Sequence, residues 1–164
     1  MTWTRIVGWS LLAVLLGSGC SSREDQLLFD NLKNRNQQLT QLQQTRKIII
    51  PASEGHETVT LLIRYLPQRS RIEKRETFLV AVHPDTFVAS RLNGQSPLRV
   101  TECSPRMLNP KEQRGIPSWF TLRCVNFPMQ ERNDLRLNLL MPWGDQRELL
   151  FSKGPRYLIT KPKF

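Results

Sequence analysis

The residues of this chain equipped for chemistry are few: three cysteines, Cys20, Cys103 and Cys124, and two histidines, His56 and His83. A structural zinc site takes four ligands, and Cys103 and Cys124 with the scattered His56 and His83 do not supply a ligand set. A nucleophilic thiolate needs a positioned base, and no catalytic signature surrounds Cys103 or Cys124. Carboxylates are sparse in the apolar segments, and none forms an obvious acid–base pair of the kind a glycosidase uses. A glycine-rich phosphate loop, a G-x-S-x-G elbow and an H-E-x-x-H helix are all missing from the sequence. No catalytic residue, metal or cofactor is therefore expected, and the chain reads as a non-enzyme.

Cys20 has the most telling surroundings, "LLGSGCSS" at 15–22. Before it come one cation, Arg5, the apolar run Ile6 to Leu16, and the small residues Gly17, Ser18 and Gly19. A charged start, a short apolar core and a small-residue cleavage zone are the parts of a secretory signal. The run is too short to span about 30 Å of hydrocarbon, which takes about 20 apolar residues. The cysteine directly after the small residues resembles the lipobox of bacterial lipoproteins, with Gly17 where members usually have leucine and Leu16 one place earlier. That resemblance implies removal of residues 1–19, acylation of Cys20 as the first mature residue and, from Ser21, sorting to the outer membrane. Several acyl chains, at about 0.8 kcal/mol per buried methylene, make an anchor that is in effect permanent.

With Cys20 given to lipid, Cys103 and Cys124 remain as a pair, and in an oxidising compartment the expected product is a structural disulfide. Of the 24 Lys+Arg and 14 Asp+Glu, residues 1–19 hold only Arg5, so the mature chain keeps 23 cations against 14 anions. An exported basic protein meets lipid phosphates, lipopolysaccharide and peptidoglycan carboxylates. Nucleic acid is not an expected partner.

The elements follow from hydrophobic period. Residues 23–47 lack glycine and proline, and Leu28, Leu32, Leu39 and Leu42 share a helical stripe with Arg35 and Arg46. Acidic residues lead and basic ones follow, as the helix dipole prefers. Residues 20–47 are read as a tether, with two roles open: a stalk or oligomerising helix, or a linker packed on its own domain. From residue 48 the pattern becomes strand-like: "KIIIP", "ETVTLLIRYLP" (57–67), "ETFLVAVHP" (76–84), "PLRVTECSP" (97–105), "SWFTLRCVNFP" (118–128), "DLRLNLLMP" (134–142), then "QRELLFS" and "RYLIT" after a "PWGD" turn. About seven short strands predict a mainly β domain over 48–164, an antiparallel β-sandwich, with the disulfide tying neighbouring strands or bridging the sheets.

Three surface features remain. Arg64, Arg69, Arg71, Lys74 and Arg75 cluster in and around an expected loop. Contact with a phosphate-rich surface or an acidic partner is one reading; a solvated hairpin tip, partly neutralised by Glu73 and Glu76, is the other. Trp143 in the "PWGD" turn is either a docking aromatic or a cap on the core, while Trp119 and Phe120, adjacent in an expected strand, should face opposite ways. The tripeptide His83-Pro84-Asp85 resembles that of J-domain co-chaperones, but that family places it between two helices and here it follows a strand.

The expectation is an outer-membrane lipoprotein facing the periplasm, held by its acyl chains and serving as a non-enzymatic structural or accessory subunit of an envelope assembly of the secretion, pilus or conjugation type. Protein partners in the envelope go with that reading. The alternative is a binding module for an anionic envelope glycan or lipid, such as lipopolysaccharide or peptidoglycan, through Arg69, Arg71 and Arg75. The oligomeric state is not legible.

Overall fold

The structure, a computed structural model, describes residue 35 and residues 39–154. The expected signal peptide, Cys20, most of the expected tether and the expected "RYLIT" strand lie outside the described residues.

The described residues form eight strands in two antiparallel sheets, a β-sandwich as the alternation predicts. The larger sheet runs in the order β1 (Thr45–Ile50), β2 (Val59–Tyr65), β3 (Arg75–His83), β6 (Thr121–Pro128) and β5 (Arg99–Glu102). The smaller runs β4 (Ala89–Leu92), β7 (Asp134–Leu140) and β8 (Gln146–Ser152).

Strand period sorts the side chains by parity. Val59, Leu61, Ile63 and Tyr65 of β2 face the smaller sheet, as do Phe78, Val80 and Val82 of β3 and Val125 and Phe127 of β6. Leu135, Leu137 and Leu139 of β7, Leu92 of β4 and Phe151 of β8 meet them. Phe78 lies at the centre, with the rings of Phe127 and Phe151 edge-on at 5.9 and 5.2 Å. Burying each such side chain contributes about 1.5–3 kcal/mol. The smaller sheet's other face is solvated, so β7 alternates buried and exposed along its whole length.

The larger sheet is covered on its second face too, which explains why β3 is buried at every residue between its two ends. Leu66, Leu79, Cys103, Leu108 and Cys124 form a second apolar cluster there, joined by Ile116 and Leu122. The cover is made by helix α1 (Pro67–Glu73) and the segment 103–117, which contains a 3-10 turn (Pro105–Met107) and the short helix α2 (Pro110–Gln113). Asn109 and Glu112 close a reciprocal capping box on α2.

Two arginines add further ties. Arg46 of β1 lies 5.3 Å from the centre of the Phe151 ring and donates to Leu150 O (3.0 Å), joining β1 to β8. Arg123 of β6 donates to Thr86 O (2.9 Å) and pairs with Asp85, fastening the connection from β3 to β4.

Four expectations need correction. Helix is present at residues 39–43, but Gln44 turns and β1 starts at Thr45, so Arg46 belongs to the sheet and not to a helical stripe. The residues after Leu66 form α1 where a loop was expected; Pro67 starts the helix, and Ser70 fixes it by donating to Leu66 O and accepting from the Thr77 N–H, both at 2.9 Å. Trp119 and Phe120 stand in a turn closed by Phe120 N–H to Pro117 O, because β6 begins only at Thr121. Strand β4, four residues without a recognisable run, was not expected at all.

Candidate functional site

The cysteine pair forms as expected. Cys103 and Cys124 are disulfide-bonded with Cα atoms 5.5 Å apart, 21 residues apart in sequence. Thr101 is the register partner of Cys124, and the Cys103 N–H donates to Leu122 O (2.9 Å). The bond therefore ties the exit of β5 to its neighbour β6 instead of bridging the sheets, and it closes the loop that carries the cover. A loop of that length corresponds to about 3 kcal/mol on the chain-entropy model. Both sulfurs are buried and committed, which makes this pair structural.

The five cations around residues 64–75 divide into two groups. Arg64 is in β2, not in a loop, and is buried on the covered face. Its guanidinium donates to Thr45 Oγ1 (2.9 Å), Arg114 O (2.9 Å) and Glu112 O, so it pins the 110–114 segment to the sheet. Burial lowers its pKa from the ordinary arginine value, yet an arginine at such a site keeps its proton. Arg69 is the second pin: Nε and Nη2 form a fork on the Glu112 carboxylate at 3.2 and 2.8 Å, and Nη2 also reaches Met107 O (2.8 Å). The Glu112 hydrogen bonds raise its pKa further. Neither arginine is free for a ligand. Arg71, Lys74 and Arg75 are exposed, at and beyond the end of α1.

Trp143 likewise serves the fold. Its ring is half-buried against the core, stacks on His56 with centroids 3.9 Å apart and planes 14° apart, and donates Nε1–H to Asp145 Oδ2 (2.9 Å). His56 in turn shares a hydrogen bond with Ser53 Oγ and another with Glu57 O (2.9 Å). The stack locks the β1–β2 connection to the turn between β7 and β8.

The exposed aromatic surface lies elsewhere at the same end. On the covered face of the larger sheet, register places Ile49 beside Thr60 and Thr60 beside His83. Phe120 continues that row, its ring 5.7 Å from His83, with Trp119 at 6.4 Å beyond it. The 103–117 cover packs on Leu79, Cys124 and Leu122 of the neighbouring rows. Trp119 is left 65% exposed and Ile49 58%, and Phe87, in the connection after His83, is 67% exposed. Sequence reading missed Trp119 by placing it in a strand; the proline two residues before it was the available sign of a turn.

A second feature escaped the sequence reading. Glu76 of β3 is fully buried on the face shared with Phe78 and Val80. It accepts from Tyr65 Oη (2.8 Å) and the Gln130 N–H (3.0 Å) and pairs with Lys153. Burial first, and then the Glu76 hydrogen bond, push the Tyr65 phenol well above its usual 10.0. Parity along "RETFLVAVH" gives this away, since Glu76 shares the spacing of the core residues 78, 80 and 82.

Among the described residues no three His, Cys, Asp or Glu gather as metal ligands, and no helix is long and apolar enough to cross a membrane. No family model, no curated protein and no solved structure matches the chain.

Proposed function

We propose that the chain is a lipid-anchored accessory protein of the bacterial outer membrane, not itself an enzyme, whose periplasmic sandwich docks a protein subunit of an envelope assembly of the secretion, pilus or conjugation type. The observation that carries this reading is the aromatic row at the end of β3, with Trp119 and Ile49 turned to solvent beside Phe120 and His83. Tryptophan is enriched among residues that dominate protein–protein affinity, and a ring half-supported by neighbours loses little entropy on docking. The row stands on a sheet locked by a disulfide and by the two guanidinium pins, so it is presented rigidly, and rigid presentation lowers the cost of association. The sequence around Cys20 supports the anchor.

The test is site-specific photo-crosslinking in native membranes, with the photoreactive residue at position 119 or at Arg147 as a control. A stoichiometric protein adduct from 119, absent from 147 and reduced by Ile49→Ala, supports the reading. Equal adducts from both positions, or none from 119, would overturn it. Mass analysis of the N-terminal peptide checks the anchor separately: Cys20 must carry acyl chains.

A further inference from the structure

The other end of β3 carries charge where the first carries rings. There α1 ends, β3 begins at Arg75, β6 ends at Pro128, the register partner of Arg75, and β5 begins at Arg99, the partner of Asn126. Arg71, Lys74, Arg75 and Arg99 are exposed, and among the described residues none of them is in an ion pair. Three apolar side chains stand between them in solvent: Ile72 is 83% exposed, Leu98 59% and Met129 44%. Cations around protruding apolar residues form the pattern that seats a protein in a phospholipid headgroup layer, where phosphates take the charges and the apolar tips enter the acyl boundary.

Two further observations favour that occupant. Lys74 holds a left-handed backbone, φ 52°, as the C-cap of α1. Glycine takes that conformation without strain, yet a lysine stands at the tip. The chain also enters the domain at this end: Gln44 O accepts from the Tyr65 N–H (2.9 Å), one residue before Leu66 leads into α1. The 19 residues from Cys20 to Gln38 span at most about 65 Å when fully extended, which keeps this end within reach of the bilayer that the Cys20 anchor, on the reading above, occupies.

We propose that the end formed by α1, the start of β3, the end of β6 and the start of β5 seats on an anionic phospholipid surface, Arg71, Lys74, Arg75 and Arg99 contacting lipid phosphates and Ile72, Leu98 and Met129 entering the headgroup boundary. The proposal uses a different surface from the aromatic row, and only the position of the tether depends on the anchor.

The test uses the mature chain, residues 20–164, with Cys20→Ser, which removes any acyl contribution, and vesicles of phosphatidylglycerol in phosphatidylcholine against phosphatidylcholine alone. Because every form carries the same residues 20–38, differences between variants report the domain. Binding to the anionic vesicles should slow amide exchange across residues 66–75 and weaken with added salt. Replacing Arg71, Lys74, Arg75 and Arg99 by glutamate should weaken it by at least about 1,000-fold, while Arg91→Glu with Arg136→Glu, on the outer face of the smaller sheet, should leave it unchanged. Should the fourfold variant not fold, Lys74→Gly keeps the test open, since it relieves the backbone and should bind more weakly with no loss of stability. Undiminished binding of the folded variants, equal binding to both vesicle types, or protection of residues 66–75 without lipid through self-association would each overturn the proposal.

Discussion

Tyr65 Oη donates a 2.8 Å hydrogen bond to Glu76 Oε2 between the two sheets, where both residues are buried and Lys153 supplies the countercharge. The pair joins the end of β2 to the start of β3, and Lys153 brings in the residue after β8. Glu76→Ala should destabilise the domain by about 3–5 kcal/mol, because a phenol and an amide lose their acceptor and the Lys153 ammonium loses its countercharge. Tyr65→Phe, which removes one donor from a carboxylate that keeps two others, should cost about 1–2 kcal/mol. Urea unfolding of the variants measures both, and equal losses would show that the carboxylate is not the hub.

Alkaline stability should follow the same phenol. Its folded pKa is raised above the usual 10.0, by burial first and by Glu76 second. A raised folded pKa gives a contribution that is fully present below the unfolded value and lost as pH rises through the folded one. Between about pH 10 and about pH 12 the wild-type chain should lose stability more steeply than Tyr65→Phe, which has no proton to lose at that position. Unfolding midpoints across that window decide it; parallel curves would sink the assignment.

Arg64 should behave as a clasp and not as a ligand-binding cation. Its three acceptors are Thr45 Oγ1 and the carbonyls of Glu112 and Arg114. Arg64→Ala should cost about 2 kcal/mol and accelerate amide exchange in residues 105–117 far more than in β7. Arg64→Lys should recover only part of this, since an ammonium lacks the planar fork.

The tryptophans should separate cleanly. Trp143→Ala removes a half-buried stack and the bond to Asp145 and should cost about 2 kcal/mol or more. Trp119→Ala, on a ring already mostly in solvent, should stay within about 0.5 kcal/mol. Thermal unfolding of the two variants reads the contrast directly.

Legibility in the sequence followed the range of the interactions. Strand β7 was visible because one face meets the core and the other meets water, so each residue of "DLRLNLL" states its side. The disulfide was visible by elimination once Cys20 was assigned. Arg64 and Arg69 were misplaced because their partners lie roughly 40 to 50 positions away in a segment without regular period, which no local pattern records. Helix α1 was hidden because seven residues held by one serine hydroxyl and by packing leave little periodicity to read. Trp119 was misjudged because a turn and a strand entrance share the same composition.

Strand β3 has a mechanical consequence. Its nine residues run from the cationic end to the aromatic end, a rise of about 27 Å, and it is hydrogen-bonded to β2 on one side and β6 on the other. A pull applied between those two ends acts along the strand axis. It loads the bonds on both sides together in shear, and does not open them one at a time from an edge. The molecule is thus built to bear tension between whatever holds its two ends.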